Sequence, residues 1–289
     1  MSDNTNKVDD VTGTETTGHS WDGIEELNNP LPRWWLWSFY LTIIWGVGYT
    51  IAYPAWPMIS GATSGLLGYS TRAEVAAEIA LVEDANAALN AELAAADLTT
   101  LADNPDLQRF ASAAGASVFA NNCSQCHGSG AAGSAGFPNL LDDDWLWGGD
   151  VENIAYTIRH GIRNEADWDA RWSEMPAFAD ILESDEIDAV VQHVIAISGD
   201  EHDAALASAG EEVFLDQCSS CHMDDGTGNR DLGAPNLTDA VWLYGGDVAS
   251  LTETVQNARF GVMPPWSERL TDAQINAVTA YVHQLGGGE

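Results

Sequence analysis

The chain has 289 residues, with 10 Lys and Arg against 44 Asp and Glu and a formal net charge of −34 at pH 7. Such a field excludes nucleic acid and anionic membrane surfaces as partners. Acidic residues run throughout the chain, including residues 1–30, which fits a surface kept hydrated in high salt; a docking face for a basic electron-donor protein is a second use of the same charge.

Residues 1–20 are polar and rich in Thr, Asp and Gly, and the composition predicts disorder. From Trp34 to Tyr53 the stretch "WWLWSFYLTIIWGVGYTIAY" carries no charge over 20 residues. As a helix it is about 30 Å long, enough to cross a bilayer core. Trp34, Trp35 and Trp37 at one end, and Tyr53 and Trp56 at the other, are placed like interfacial aromatics. A cleaved leader is disfavoured, because 33 mostly polar residues precede the stretch and "YPAWP" follows where small residues should mark a cleavage site. Residues 34–56 are therefore expected to be an uncleaved anchor. Lys7 and Arg33 precede it and the next basic residue is Arg72, so residues 1–33 are expected in the cytoplasm. Residues 57–104 are expected to be a helical linker, Ala/Glu-rich from 71 to 100, which spaces the rest of the chain from the membrane or packs on a partner.

Beyond the linker the sequence repeats. "NNCSQCHGSG" returns 95 residues later as "DQCSSCHMDD", and Gly115 and Phe119 return as Gly210 and Phe214 at the same offset. "FPNLLDDDWLWGGDV" matches "APNLTDAVWLYGGDV" at an offset of 97, and Met175-Pro176 matches Met263-Pro264 at an offset of 88. Each copy ends in an amphipathic stretch. One carries Ile187, Val190, Val191, Val194 and Ile195 behind Ser184 as N-cap. The other carries Ile275, Val278, Val282 and Leu285 behind a Thr271/Gln274 capping box. The expected domains are 105–199 and 200–289, each small for a self-sufficient core.

All four cysteines lie in the two Cys-x-x-Cys-His motifs: Cys123, Cys126 and His127, then Cys218, Cys221 and His222. A redox dithiol does not require the His. Two local disulfides or an all-cysteine zinc knuckle are the plain alternatives. Cys-x-x-Cys-His is the c-type haem attachment pattern, with two thioether bonds to the porphyrin and the imidazole as proximal iron ligand. Its recurrence inside a longer repeat, with no spare cysteine, favours two covalently held haem c groups, which would also supply apolar surface to each small domain.

The order of helix, haem motif, long loop, short helices, methionine loop and terminal helix resembles the class I cytochrome c fold. The resemblance implies an all-α protein of one N-terminal transmembrane helix and two tandem cytochrome c domains. It implies a contact between first and last helices near Gly115/Phe119 and Gly210/Phe214, with Tyr281 as an aromatic on the last helix. It assigns the carbonyls of Pro138 and Pro235 as acceptors for the histidine Nδ1–H, and Met175 and Met263 as distal iron ligands. Local pairing, with Met175 on the first haem and Met263 on the second, is the simplest arrangement; an exchange would use the same residues. Trp147, Tyr244, the Gly-Gly-Asp turns, Arg159 and Arg259 are candidates for contacts to haem propionates. His160, His193, His202 and His283 read as surface or helix-face residues. The sequence has no nucleotide-binding Gly loop, Ser/His/Asp arrangement or separate metal cluster.

The membrane-entry stretch narrows the family. Asp22-Gly23-Ile24, Asn28-Asn29-Pro30-Leu31-Pro32, Trp34-Trp35 and Gly48-Tyr49 before Tyr53-Pro54 resemble the dihaem subunit III (CcoP/FixP type) of cbb3-type cytochrome c oxidase. The acidic surface and the insertion "RNEADWDARWSE" depart from that pattern. The resemblance implies no oxygen chemistry in this chain by itself. It implies electron transfer from a donor cytochrome or quinol-oxidising complex, through two haems, to a monohaem cytochrome c subunit and the catalytic haem–copper subunit. The haem domains would lie outside the cytoplasmic membrane. A stand-alone tethered dihaem carrier, c4-like or a dehydrogenase cytochrome subunit, shares every haem residue but has no use for the entry stretch. A dihaem peroxidase needs an open sixth position, against two Met-Pro loops.

Overall fold

The computed structural model describes residues 7–289. The chain divides after Asp84 into two compact units. In the first, β1 (Thr16–Trp21) and β2 (Ile24–Leu27) form an antiparallel hairpin. Its two-residue turn, Asp22 at φ 52° and Gly23 at φ 83°, has both central residues in the left-handed region, as a type I′ turn requires. This corrects the expectation of disorder for residues 7–20; residues 1–6 lie outside the described residues. The Asp-Gly pair was the missed signal.

Helix α1 (Arg33–Ala52) starts after Pro32 and buries none of its side chains. It is apolar around its whole circumference, which suits lipid rather than a protein core. Aromatic pairs stack along it, with ring centroids 5.4 Å apart for Trp35–Phe39 and 4.7 Å for Tyr49–Tyr53. The linker is not helical throughout: β3 (Pro57–Met58) and β4 (Gly61–Ala62) pair before α2 (Thr71–Ala94).

Only the end of α2 enters a core. Leu93 is fully buried in one apolar cluster with Leu101, Leu107 and Ala277, and Asn276 Nδ2 donates to Leu93 O at 2.9 Å. Val75, Ile79 and Val82 nearer the start of α2 stay exposed.

The second unit is helical. Asn104 caps α3 (Pro105–Val118), accepting from Leu107 N–H at 3.2 Å, with Pro105 at the first helical position. Leu107, Ala111, Gly115 and Val118 form its buried stripe. A π-helical turn (Phe119–Cys123) leads into α4 (Ser124–His127), and α5 spans Val151–His160. The second half repeats this order with α7 (Ala204–Gln217), α8 (Ser219–His222) and α9 (Val248–Asn257). The terminal helices of the two repeats are α6 (Ser184–Ile197) and α10 (Asp272–His283). The capping box at Thr271/Gln274 is present, whereas the N-cap of α6 is Glu183 rather than Ser184.

The two repeats do not close on themselves. α3 packs on α10, and α7 packs on α6. A Cβ on Gly115 would strike the Ala277 carbonyl, and one on Gly210 would strike the Ala189 carbonyl. Phe119 meets Tyr281 with centroids 5.5 Å apart, and Phe214 meets His193 at 5.1 Å. Stretches 105–199 and 200–289 are thus sequence repeats, and each contributes its last helix to the other's first. The physical reason is the connection: six residues join α6 to α7, and helices joined so tightly become antiparallel neighbours. Val190 and Val278, at 1% and 0% exposure, sit at the centres of the two packings. Burial of such a side chain contributes about 1.5–3 kcal/mol.

Candidate functional site

Both Cys-x-x-Cys-His motifs lie on short helices, α4 and α8, presented by the helix before them. His127 Nδ1 is 3.2 Å from Pro138 O, and His222 Nδ1 is 3.0 Å from Pro235 O. A carbonyl only accepts, so Nδ1 carries the proton in each ring and Nε2 keeps its lone pair free for a metal. Burial lowers both histidine pKa values, with the proline carbonyl acting in the opposite sense. The rings are therefore held neutral.

Glycines make these hydrogen bonds possible. Gly133, at φ +67°, donates its N–H to His127 O at 2.9 Å, and a Cβ there would strike Phe137 O and Pro138. Gly228, at φ +81°, does the same for His222 O at 3.0 Å and faces Ala234 O and Pro235. Each loop folds back so closely that only glycine fits.

The four thiols are free. Burial pushes Cys123 and Cys218 up to about 11, with the neighbouring Cys126 and Cys221 adding to the rise. That is the reverse of a redox dithiol, whose attacking sulfur is a stabilised thiolate. A zinc knuckle is not assembled either. Among the described residues, the one grouping of three or more metal-donor side chains is His160, Asp167 and Asp169.

Around the first motif, Cys123 packs in one apolar cluster with Val118, Phe119, Ile154, Ile158 and Met263. Around the second, Cys218 packs with Val191, Val194, Phe214, Leu237 and Leu251. The indole of Trp147 is buried and its Nε1–H has no protein acceptor. A buried donor in that state costs about 1–3 kcal/mol unless a bound group accepts from it. Neutral imidazoles, paired thiols, apolar walls and this unmatched donor fit a covalently attached c-type haem.

The expected propionate candidates divide. Tyr244 lies under the guanidinium of Arg259, 4.7 Å from its ring centroid, and Arg259 also donates to Ser250 O and Thr254 Oγ1 at 2.6 Å each. Arg159 instead pairs with Asp272, Nη1 to Oδ1 at 2.5 Å, and faces α10. The counterpart of Arg259 is Arg171, which sequence reasoning missed. It stacks 5.2 Å from the Trp147 centroid and 4.8 Å from that of Tyr156, and donates to Thr157 Oγ1 at 2.9 Å. The signal was available: Arg171 and Arg259 share the offset of 88 that relates the two methionines.

The Gly-Gly-Asp turns are helix starts. Asp150 accepts from Asn153 N–H at 2.8 Å and Asp247 from Ser250 N–H at 3.1 Å, while Gly149 and Gly246 lie against the indoles of Trp145 and Trp242.

Comparison with known proteins agrees with this arrangement. The profile described as the N-terminal domain of cytochrome oxidase-cbb3, FixP, matches residues 13–60. The profile for cytochrome c oxidase, cbb3-type, subunit III matches residues 111–194 and again 205–282. The chain is 62% identical over 276 residues, 95% of each sequence, to the cbb3-type cytochrome c oxidase subunit CcoP of Cereibacter sphaeroides. It is 51% identical to subunit FixP of Sinorhizobium medicae over the full length of both. To CcoP of Rhodobacter capsulatus it is 55% identical, over 95% of this chain and 96% of the relative.

Proposed function

The chain belongs to the family of cbb3-type cytochrome c oxidase subunit III, and on that premise we propose that it binds two haem c groups, one on each Cys-x-x-Cys-His motif. It is an electron-transfer cytochrome subunit of the oxidase, anchored by α1. A free-standing carrier is not favoured, because the match includes the membrane-entry segment, residues 13–60.

Cys123 and Cys126, and Cys218 and Cys221, form the thioether links. His127 and His222 ligate through Nε2, and Met175 and Met263 are the distal ligands. A bound haem c supplies a one-electron iron couple, with a potential raised by methionine ligation. The protein's residues set the conditions for it. Pro138 and Pro235 fix ring orientation and increase the basicity of the ligating nitrogen. The apolar clusters exclude water, and the Trp147 N–H, Arg171 and Arg259 with Tyr244 offer donors for propionates. The single observation carrying this reading is the His–Pro carbonyl hydrogen bond at both motifs.

The chain does not reduce oxygen by itself. It takes electrons from a donor cytochrome or quinol-oxidising complex and hands them to the monohaem cytochrome c and catalytic haem–copper subunits. Lys7 and Arg33 before the span, with no further basic residue until Arg72, support an N-terminus in the cytoplasm and a haem-binding unit outside it. The test is capture of the full chain from its membranes in mild detergent, with a reduced-minus-oxidised spectrum. Haem b bands and copper with the c-type bands, together with oxygen uptake, are expected. A c-type spectrum alone would overturn the partner assignment.

A further inference from the structure

We infer that the loop of residues 163–174 is the docking site for a transient, basic electron-donor cytochrome, with Trp168 as its central contact. This rests on the electron-transfer reading proposed above and deepens it, by placing the donor's contact on named residues.

The loop belongs to the first repeat alone. The repeat offset falls from 97 to 88 here, so the first copy carries nine more residues before its methionine. The loop is closed at its base, where Arg163 N–H donates to Arg171 O at 2.8 Å and Arg171 N–H to Gly161 O at 3.1 Å. It is also tied within. His160 Nδ1 lies 3.0 Å from Asp167 Oδ2, Asp169 N–H donates to Asp167 Oδ1 at 2.8 Å, and the Tyr156 hydroxyl donates to Asp169 O at 2.8 Å. A short surface loop with its ends together and its own side chains bracing it holds a fixed shape.

What this braced loop presents is an indole left in solvent. Trp168 is fully exposed, the most exposed of the chain's 12 tryptophans, and Trp172 is 53% exposed. Tryptophan brings a large apolar area to a contact and is enriched among the few residues that carry binding energy. Glu165, Asp169 and Glu174 are exposed in the same loop. Its two cations turn inward. Arg163 donates to Gly261 O at 2.8 Å and to Ser173 O at 2.9 Å, and Arg171 stacks on Trp147. The charge offered to a partner is therefore negative, and a basic surface complements it.

The balance of groups also selects the kind of contact. A permanent subunit interface is large and depleted of charge at its centre. An exposed indole among solvated carboxylates fits the small, polar, salt-sensitive contact of a redox encounter. Arg171 joins the loop to Trp147, whose buried Nε1–H is one of the propionate donors of the reading above. A protein seated on Trp168 thus lies beside a wall of the haem-binding unit.

Calorimetric titration of the detergent-solubilised, two-haem full chain tests this. The probe is a lysine-rich class I cytochrome c carrying zinc in place of iron, so that no electron moves. One-to-one binding is expected at low salt, weakened about fivefold or more in Trp168→Ala and partly recovered in Trp168→Tyr. In the double variant Glu165→Gln/Asp169→Asn the salt dependence of binding should flatten. The pair Glu211→Gln/Glu212→Gln removes as much charge from the exposed face of α7 and should have the smaller effect. Absence of binding by the parent chain, unchanged affinity in Trp168→Ala, or an equal effect from the α7 pair would each overturn the docking site. None of these outcomes depends on the oxidase assignment, which the spectrum of the captured complex decides separately.

Discussion

Gly115 lies in the first repeat and Ala277 in the last helix of the second, and their backbones approach so closely that no side chain fits between them. The same relation holds between Gly210 and Ala189, and the offset of 88 between the two alanines is that of the methionines. The aromatic contacts beside these glycines give a direct test. A double-mutant cycle on Phe119→Leu and Tyr281→Leu should show coupling of about 0.5–1.5 kcal/mol, the usual worth of an aromatic pair. The cycle on Phe119→Leu and His193→Ala should be additive. Denaturant unfolding of the haem-loaded chain is the measurement, and coupling of Phe119 to His193 would restore local closure.

Gly133→Ala and Gly228→Ala should each disturb one haem site and spare the other. The added methyl collides with the loop that carries the proline carbonyl, and the backbone angle is strained for alanine. A stability loss of about 1–3 kcal/mol is expected from such overpacking. Moving the carbonyl away weakens its bond to the imidazole, making the ring a poorer donor to ferric iron. The potential of that one haem should rise. A potentiometric titration in which both haems shift, or neither does, would count against the assignment.

The motifs were legible because their chemistry is local. Cys-x-x-Cys-His, the prolines 11 and 13 residues beyond the histidines, and the uncharged span can each be read within a short window. The exchange was not, because α6 and α10 carry equivalent stripes, with Ala189 and Ala277 at equivalent positions, and either could close either first helix. The six-residue connection between α6 and α7 decides it, and helix-to-helix distance was the clue left unused. Arg171 was missed for a related reason: it aligns with Arg259 only at the methionine offset of 88, after the repeat has changed register from the loop offset of 97.

Arg171 and Arg159 should therefore respond differently to replacement. Arg171→Gln removes a half-buried guanidinium that stacks on Trp147 and Tyr156 and bonds to Thr157 and Asn153. Loss of hydrogen bonds to a charged group of this kind costs about 1.5–3 kcal/mol. Arg159→Gln removes a partly exposed pair with Asp272, the two side chains being 34% and 63% exposed, worth about 0–1 kcal/mol. Urea midpoints of the two variants, compared at one salt concentration, should separate accordingly. Equal effects would mean that Arg171 has no special place at the first site.

Asp144 gives a pH dependence whose sign follows from its surroundings. Burial, then the charges of Asp239 and Asp142, raise its pKa to about 6, with Arg230 pulling the other way. A carboxyl raised in the folded state favours the protonated form there. Its contribution is fully present below its ordinary value near 3.8 and is lost as pH rises through about 6. Asp144→Asn removes the charge that causes the loss. The variant should melt at a higher temperature than the parent chain at pH 8, with the difference shrinking as pH falls through 6 and disappearing near pH 4. Thermal melts across that range at fixed salt are the measurement. A variant that gains stability only in acid would mean that Asp144 is held by a partner as an anion, and that the acidic loops on either side of it do not repel one another.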